Sequence, residues 1–216
     1  MLKRIAQELR RHVPFTALGA LTGIIVMVII VLGNVPPQIS QTAFYTLHPI
    51  HVILSALVTT AMYVRYRKAK IWAVILIGWT GSIGIATLSD AIIPYLSGVL
   101  LHVPMELEVP FIEISKMPVI GIETWIVVNG AALLGIGLGY WKQTTKIPHS
   151  GHVLVSTWAS LFYLTSFGTA DWIHLLPFVF LFLFLAVWIP CCTSDIVYPL
   201  LFVKEEMRAS LPDNDY

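Results

Sequence analysis

Six windows of roughly 20 apolar residues, the length that crosses a bilayer core, run at 14–33, 44–64, 71–97, 119–141, 149–170 and 172–203. A chain divided this way has few choices, because backbone amides that enter hydrocarbon must pair within their own segment, which leaves helices. The composition agrees: 57% of residues are hydrophobic and 12% charged, with a mean hydropathy of +0.81, outside the usual soluble balance. The expectation is an all-α integral membrane protein with six transmembrane helices. The third and sixth windows are long and carry Pro94 and Pro199 near their C-terminal ends, compatible with tilt, a kink or extension past the bilayer.

The formal charge of +1 is near neutral and gives no reason to expect nucleic acid as a partner. Its placement says more. Lys3, Arg4, Arg10 and Arg11 precede the first window; Arg65, Arg67, Lys68 and Lys70 separate the second from the third. Lys142 and Lys146 lie between the fourth and fifth, Lys204 and Arg208 follow the sixth, and only Lys116 falls elsewhere. Under the positive-inside rule these clusters put both termini in the cytoplasm, as an even number of spans requires, in a multi-pass protein of the cell membrane. The first apolar run is too long for a signal peptide's core and lacks a convincing cleavage site, so it reads as an anchor. Residues 98–118 form the longest connection, expected outside, and carry Glu106, Glu108 and Glu113; an interfacial helix, a cap or a solvated loop would each suit them.

Aligning the chain with itself is informative. The second window contains "HPIHVILS" (His48 to Ser55) and the fifth begins "HSGHVLVS" (His149 to Ser156); both read H-x-x-H-V-x-x-S. The third contains "SDAIIP" (Ser89 to Pro94) and the sixth "SDIVYP" (Ser194 to Pro199), the only two Ser-Asp pairs in the chain. The motifs keep their order, which points to two three-helix repeats, residues 1–97 and 119–216, around the 98–118 connection. Units with an odd number of spans enter the membrane in opposite senses, an inverted-topology plan shared by many secondary transporters.

Residues three apart share a helix face, so His48 can act with His51 and His149 with His152. Pro49 and Pro148 make both pairs read as helix starts, where the positive end of the helix dipole favours the neutral, metal-binding imidazole. In each S-D-x-x-x-P motif the proline cannot donate to the aspartate carbonyl four residues earlier. Two imidazoles and a carboxylate form a common transition-metal donor set. His48, His51 and Asp90 make one candidate set, and His149, His152 and Asp195 another, for a divalent transition metal such as zinc or iron. On straight helices the sets would sit near opposite faces, as entry and exit sites of a carrier; bent helices would merge them into one centre, which favours an enzyme or a binuclear site.

The leading expectation is a divalent transition-metal transporter or channel-like carrier, whose partners are the bilayer and the ion. The alternatives are an intramembrane metal-dependent enzyme, a lipid hydrolase ahead of an oxidase, and a b-type cytochrome with histidine haem ligands. Duplicated polar residues can also simply join the two halves through buried hydrogen bonds. Cys191 and Cys192 are adjacent, a poor geometry for a mutual disulfide. Cys191, four residues before Asp195, could supply a thiolate, although a single cysteine in an apolar helix is usually core.

Overall fold

The computed structural model describes residues 2–66, 70–118, 120–143 and 146–202. Among them are seven α-helices and one π-turn: α1 (Leu2–Leu32), α2 (Pro37–Tyr66), α3 (Ile71–Thr87), the π-turn (Leu88–Ile92), α4 (Ile93–Leu100), α5 (Thr124–Lys142), α6 (Lys146–Phe167) and α7 (Trp172–Leu201). Five helical segments are long and apolar enough to cross a membrane, namely His12–Leu32, Pro37–Arg65, Ile71–Leu100, Thr124–Lys142 and Trp172–Cys191. The outer faces match that reading: α1 exposes Phe15, Leu18, Leu21, Ile25 and Ile29 at helical spacing.

Of the boundaries that differ from the sequence reading, two matter for the site. Pro37 sits at the first position of α2, where proline is favoured, so the helix begins well before its apolar window. His48 and His51 are therefore not at a helix start. They lie about 17 Å and 21 Å along the helix at 1.5 Å per residue, and the dipole argument does not apply to them. Similarly α4 continues to Leu100, which leaves Asp90 about 15 Å from that end.

The helices α2 and α6 pack against each other at the centre. Around them α2 contacts α3, α5 and α7, α6 contacts α1, α7, the π-turn and α4, and α1 contacts α7. The α2–α5 contact is close because α5 presents glycine. A Cβ on Gly135 would collide with the carbonyl oxygen of Ile53, and one on Gly139 with that of Leu57. The sequence "GIGLG" is thus read by structure as a helix-packing surface. Asn129 ties the same side together, accepting from Trp79 Nε1 at 2.9 Å and donating to the carbonyl of Phe111 at 3.0 Å.

Beyond Leu100, where α4 ends, the long connection forms no helix among its described residues. It is an ordered loop, held by isolated bridges pairing Met105 with Gly168 and Lys116 with Glu123. Tyr163 Oη on α6 anchors it by donating to the carbonyl of Glu106 at 2.9 Å and accepting from the amide of Glu108 at 3.0 Å.

Candidate metal centre

The site is assembled around the π-turn. Ile93 N–H reaches back five residues to the carbonyl of Leu88, and Pro94 has no N–H to give, so the carbonyl of Ser89 loses both partners a helix would offer. Ser160 Oγ on α6 donates to it at 2.9 Å. A wide turn, a proline and a serine from the neighbouring helix thereby turn Asp90 into the interior, where it is wholly buried. The sequence reading placed the freed carbonyl at Asp90; the one that a side chain takes up is Ser89's.

Four donors converge on that carboxylate. His48 Nδ1 is 3.0 Å and His51 Nδ1 2.7 Å from Oδ2. Ser89 Oγ and Ser156 Oγ each donate to Oδ1 at 2.8 Å. A carboxylate only accepts, so both imidazoles carry a proton on Nδ1, which in the neutral form leaves Nε2 bare. Every member of this network is wholly buried, and the complete set of donors makes the buried charge tolerable.

The Nε2 face of His51 looks onto two further groups. Its ring stacks on that of His152, with centroids 5.3 Å apart and 12° between planes. Cys191 Sγ on α7 is 3.8 Å from His51 Nε2 and 3.5 Å from Ser156 Oγ. His51, His152 and Cys191 each offer one ligand atom, all within 4.8 Å of one another. Ligands at about 2.0 Å (nitrogen) and 2.3 Å (sulfur) around a tetrahedral ion stand about 3.5 Å apart, so small side-chain adjustments bring the three into coordination range. Asp90 would then be the outer partner of a carboxylate–histidine–metal relay, fixing the His51 tautomer and raising its basicity.

Compared with the sequence reading, His48, His51 and Asp90 do meet, but as a hydrogen-bonded group in which the carboxylate holds the imidazoles. His152 joins His51, so the described members form one cluster, for which the depth of His48 and Asp90 in their helices is the reason. The side chains of His149 and Asp195 lie outside the described residues. Cys191 lies beside His51 while also packing in the core against Val153 and Val187. Ser156, the last position of the repeated motif, was quoted in the sequence without a role; its place in a repeat that otherwise carries metal-binding residue types was the signal. No family model, curated protein or solved structure matches this chain, so its function has to be argued from these residues.

Proposed function

We propose that the chain is a carrier for a divalent transition-metal ion, embedded in the cytoplasmic membrane with six spans, both termini inside, and built from two inverted three-helix repeats. The observation that carries this reading is the wholly buried His51, His152 and Cys191 group, contributed by α2, α6 and α7. Exchanging α1 with α5, α2 with α6, and α3–α4 with α7 maps each helix contact described above onto another, which supports the repeat. A single ion site at the repeat interface is where such carriers hold their cargo, next to interrupted helices. Here the interruptions are the π-turn at Asp90 and Pro190 beside Cys191.

The donor set specifies the class of ion. A thiolate with two imidazoles favours zinc, with iron second, over magnesium or calcium. Charge supports a divalent ion: the Asp90 carboxylate and a Cys191 thiolate together neutralise it, so the loaded centre carries no net charge into the membrane interior. The test is equilibrium binding of zinc to the purified chain, followed by uptake into proteoliposomes. One zinc per chain is expected, with binding weakened by more than about a hundredfold and uptake lost in Cys191→Ala and His51→Ala. A folded wild-type protein that binds no zinc would overturn the proposal.

A second reading, an intramembrane metal-dependent hydrolase acting on lipid, is favoured by the convergence on one cluster and by the count of three protein ligands, which leaves a fourth position for water. Product analysis after incubation with lipid extracts separates it from transport. The face-to-face stacking of His51 on His152 counts against a haem ligand pair, whose rings meet the iron from opposite sides.

A further inference from the structure

The three-ligand centre leaves one buried group unused. His48 is wholly buried, its Nδ1 is committed to Asp90, and its Nε2 has no hydrogen-bond partner among the described residues. Leaving such an acceptor dry costs roughly 1–3 kcal/mol, and phenylalanine or leucine at this position would avoid that cost. What His48 faces is equally specific. Its ring stacks on Phe44, with centroids 5.5 Å apart and planes 24° from parallel. Phe44 in turn meets Tyr45, Tyr163 and Phe167 edge-on, and Met117 of the long connection packs into the same cluster. Tyr163 is the residue that grips Glu106 and Glu108 of the connection. From the connection inward the order is therefore acidic loop, aromatic box, His48, Asp90, and then the His51 centre.

We infer that His48 Nε2 is a loading ligand, a first station for the ion on its way from the connection side, with Phe44 as the ring that closes the route behind it. The inference rests on the carrier reading above and adds a path to it. One imidazole binds a zinc ion weakly, as a transit station must, while two imidazoles and a thiolate hold it firmly. The step between stations is short, because His48 and His51 are three residues, about 4.5 Å of helix rise, apart. Asp90 Oδ2 holds both rings at once, so the ion can change ligands without either histidine losing its orienting partner.

The amide nitrogen of asparagine stands where Nδ1 of histidine stands, and nothing of asparagine reaches the Nε2 position. His48→Asn therefore keeps the hydrogen bond to Asp90 and removes Nε2 together with the ring edge that stacks on Phe44. In the full-length chain in detergent, His48→Asn should still bind one zinc with an affinity within a few-fold of wild type, while the loading rate, followed by stopped-flow competition with a fluorescent zinc chelator, falls at least about tenfold. Wild-type loading kinetics in His48→Asn would overturn the inference, as would a loss of affinity as large as that of His51→Asn, which would make His48 an equilibrium ligand. Phe44→Ala leaves His48 intact and guards against a misfolded variant: loading should speed up, and an unchanged or slower rate would overturn the route. If the folded wild type binds no zinc at all, the carrier reading falls first and this inference falls with it.

Discussion

In the first half of the chain, His48 and His51 both turn Nδ1 toward one carboxylate, Asp90. In the second half, the corresponding helix lays His152 flat against His51 and sends Ser156 to the other oxygen of that same carboxylate. The thiol is likewise one-sided. Cys191 stands four residues before Asp195, and the aligned position before Asp90 is Ala86, which is buried and inert. Among the described residues, the first half thus supplies the charged hub, and the second half a hydroxyl donor and a soft ligand. The two copies of the sequence motif share a spacing; the chemistry depends on the positions where they differ.

The largest effect should separate hub from spoke. Asp90→Ala strands two imidazole N–H groups and two hydroxyls in the interior, and should lower stability by about 3–5 kcal/mol, read as a fall in the melting temperature of the detergent-solubilised protein. Ser156→Ala removes one donor of four and should cost about 1–2 kcal/mol. Equal losses would mean that the carboxylate is not the centre of the network. The next effect tests the one-sided thiol. Cys191→Ala should weaken zinc binding by more than about a hundredfold, whereas Asp90→Asn, which alters only the partner of a ligand, should weaken it by about 10–100-fold; calorimetric titration gives both numbers.

A smaller effect compares how each half packs its first helix. On Gly135 of α5 a Cβ would meet the backbone of α2, which cannot yield, so Gly135→Ala should destabilise by about 1–3 kcal/mol. On Gly19 of α1 it would lie 3.0 Å from the hydroxyl oxygen of Thr157, a side-chain atom, and Gly19→Ala should cost less than about 1 kcal/mol. Thermal melts of the two variants side by side check the ordering.

The smallest effect lies in the connection that joins the halves. Burial first, and then the hydrogen bond and charge of Glu113, push the Glu108 carboxyl up to about 7 from an ordinary value of 4.5. Such a group keeps its proton in the folded loop where the unfolded chain has released it, so its contribution favours folding most below the ordinary value and is lost as pH rises to about 7. Glu113 is held below its ordinary range, by the backbone amide of Ser115 first and by Glu108 next, and its opposite contribution fades only in more acidic solution. Amide exchange at Ser115 and Thr124 should show higher protection factors near about pH 5 than near about pH 8, and Glu108→Gln should flatten that difference.

Much of this architecture was legible in the sequence, and the misses have identifiable physical causes. Apolar windows located the helices because burial in hydrocarbon acts on composition. They misplaced the start of α2 because Pro37 can open a helix through the polar "QISQT" stretch, which no hydropathy window registers. Placing that start late set the histidines at the edge of the bundle; deep in α2, His51 joins His152 and Cys191 in one cluster, the merged arrangement the sequence reading tied to bent helices, and the side chains of His149 and Asp195 lie outside the described residues. The meeting of His48 and His51 with Asp90 was predictable from the paired motifs, because their ionisable residues must turn away from lipid and toward one another. The inclusion of Cys191 and Ser156 was not, because it depends on the rotation of α6 and α7 about their axes, which repeated spacing leaves undetermined.

The π-turn at Leu88–Ile92 has a genetic meaning as well. A wide turn accommodates one more residue than the α-helix it interrupts, so it marks the place where a single inserted codon can enter a membrane helix without breaking it. Deleting Leu88 would let a regular helix run through, with α3 and α4 keeping roughly their mutual orientation while the residues inside the turn, Asp90 among them, change the direction they face. Losing a residue from a buried helix is ordinarily among the most damaging lesions a gene can suffer. Here the bundle would keep its shape while the carboxylate swung away from His48 and His51, so the extra residue of the wide turn is what aims Asp90 at the two imidazoles.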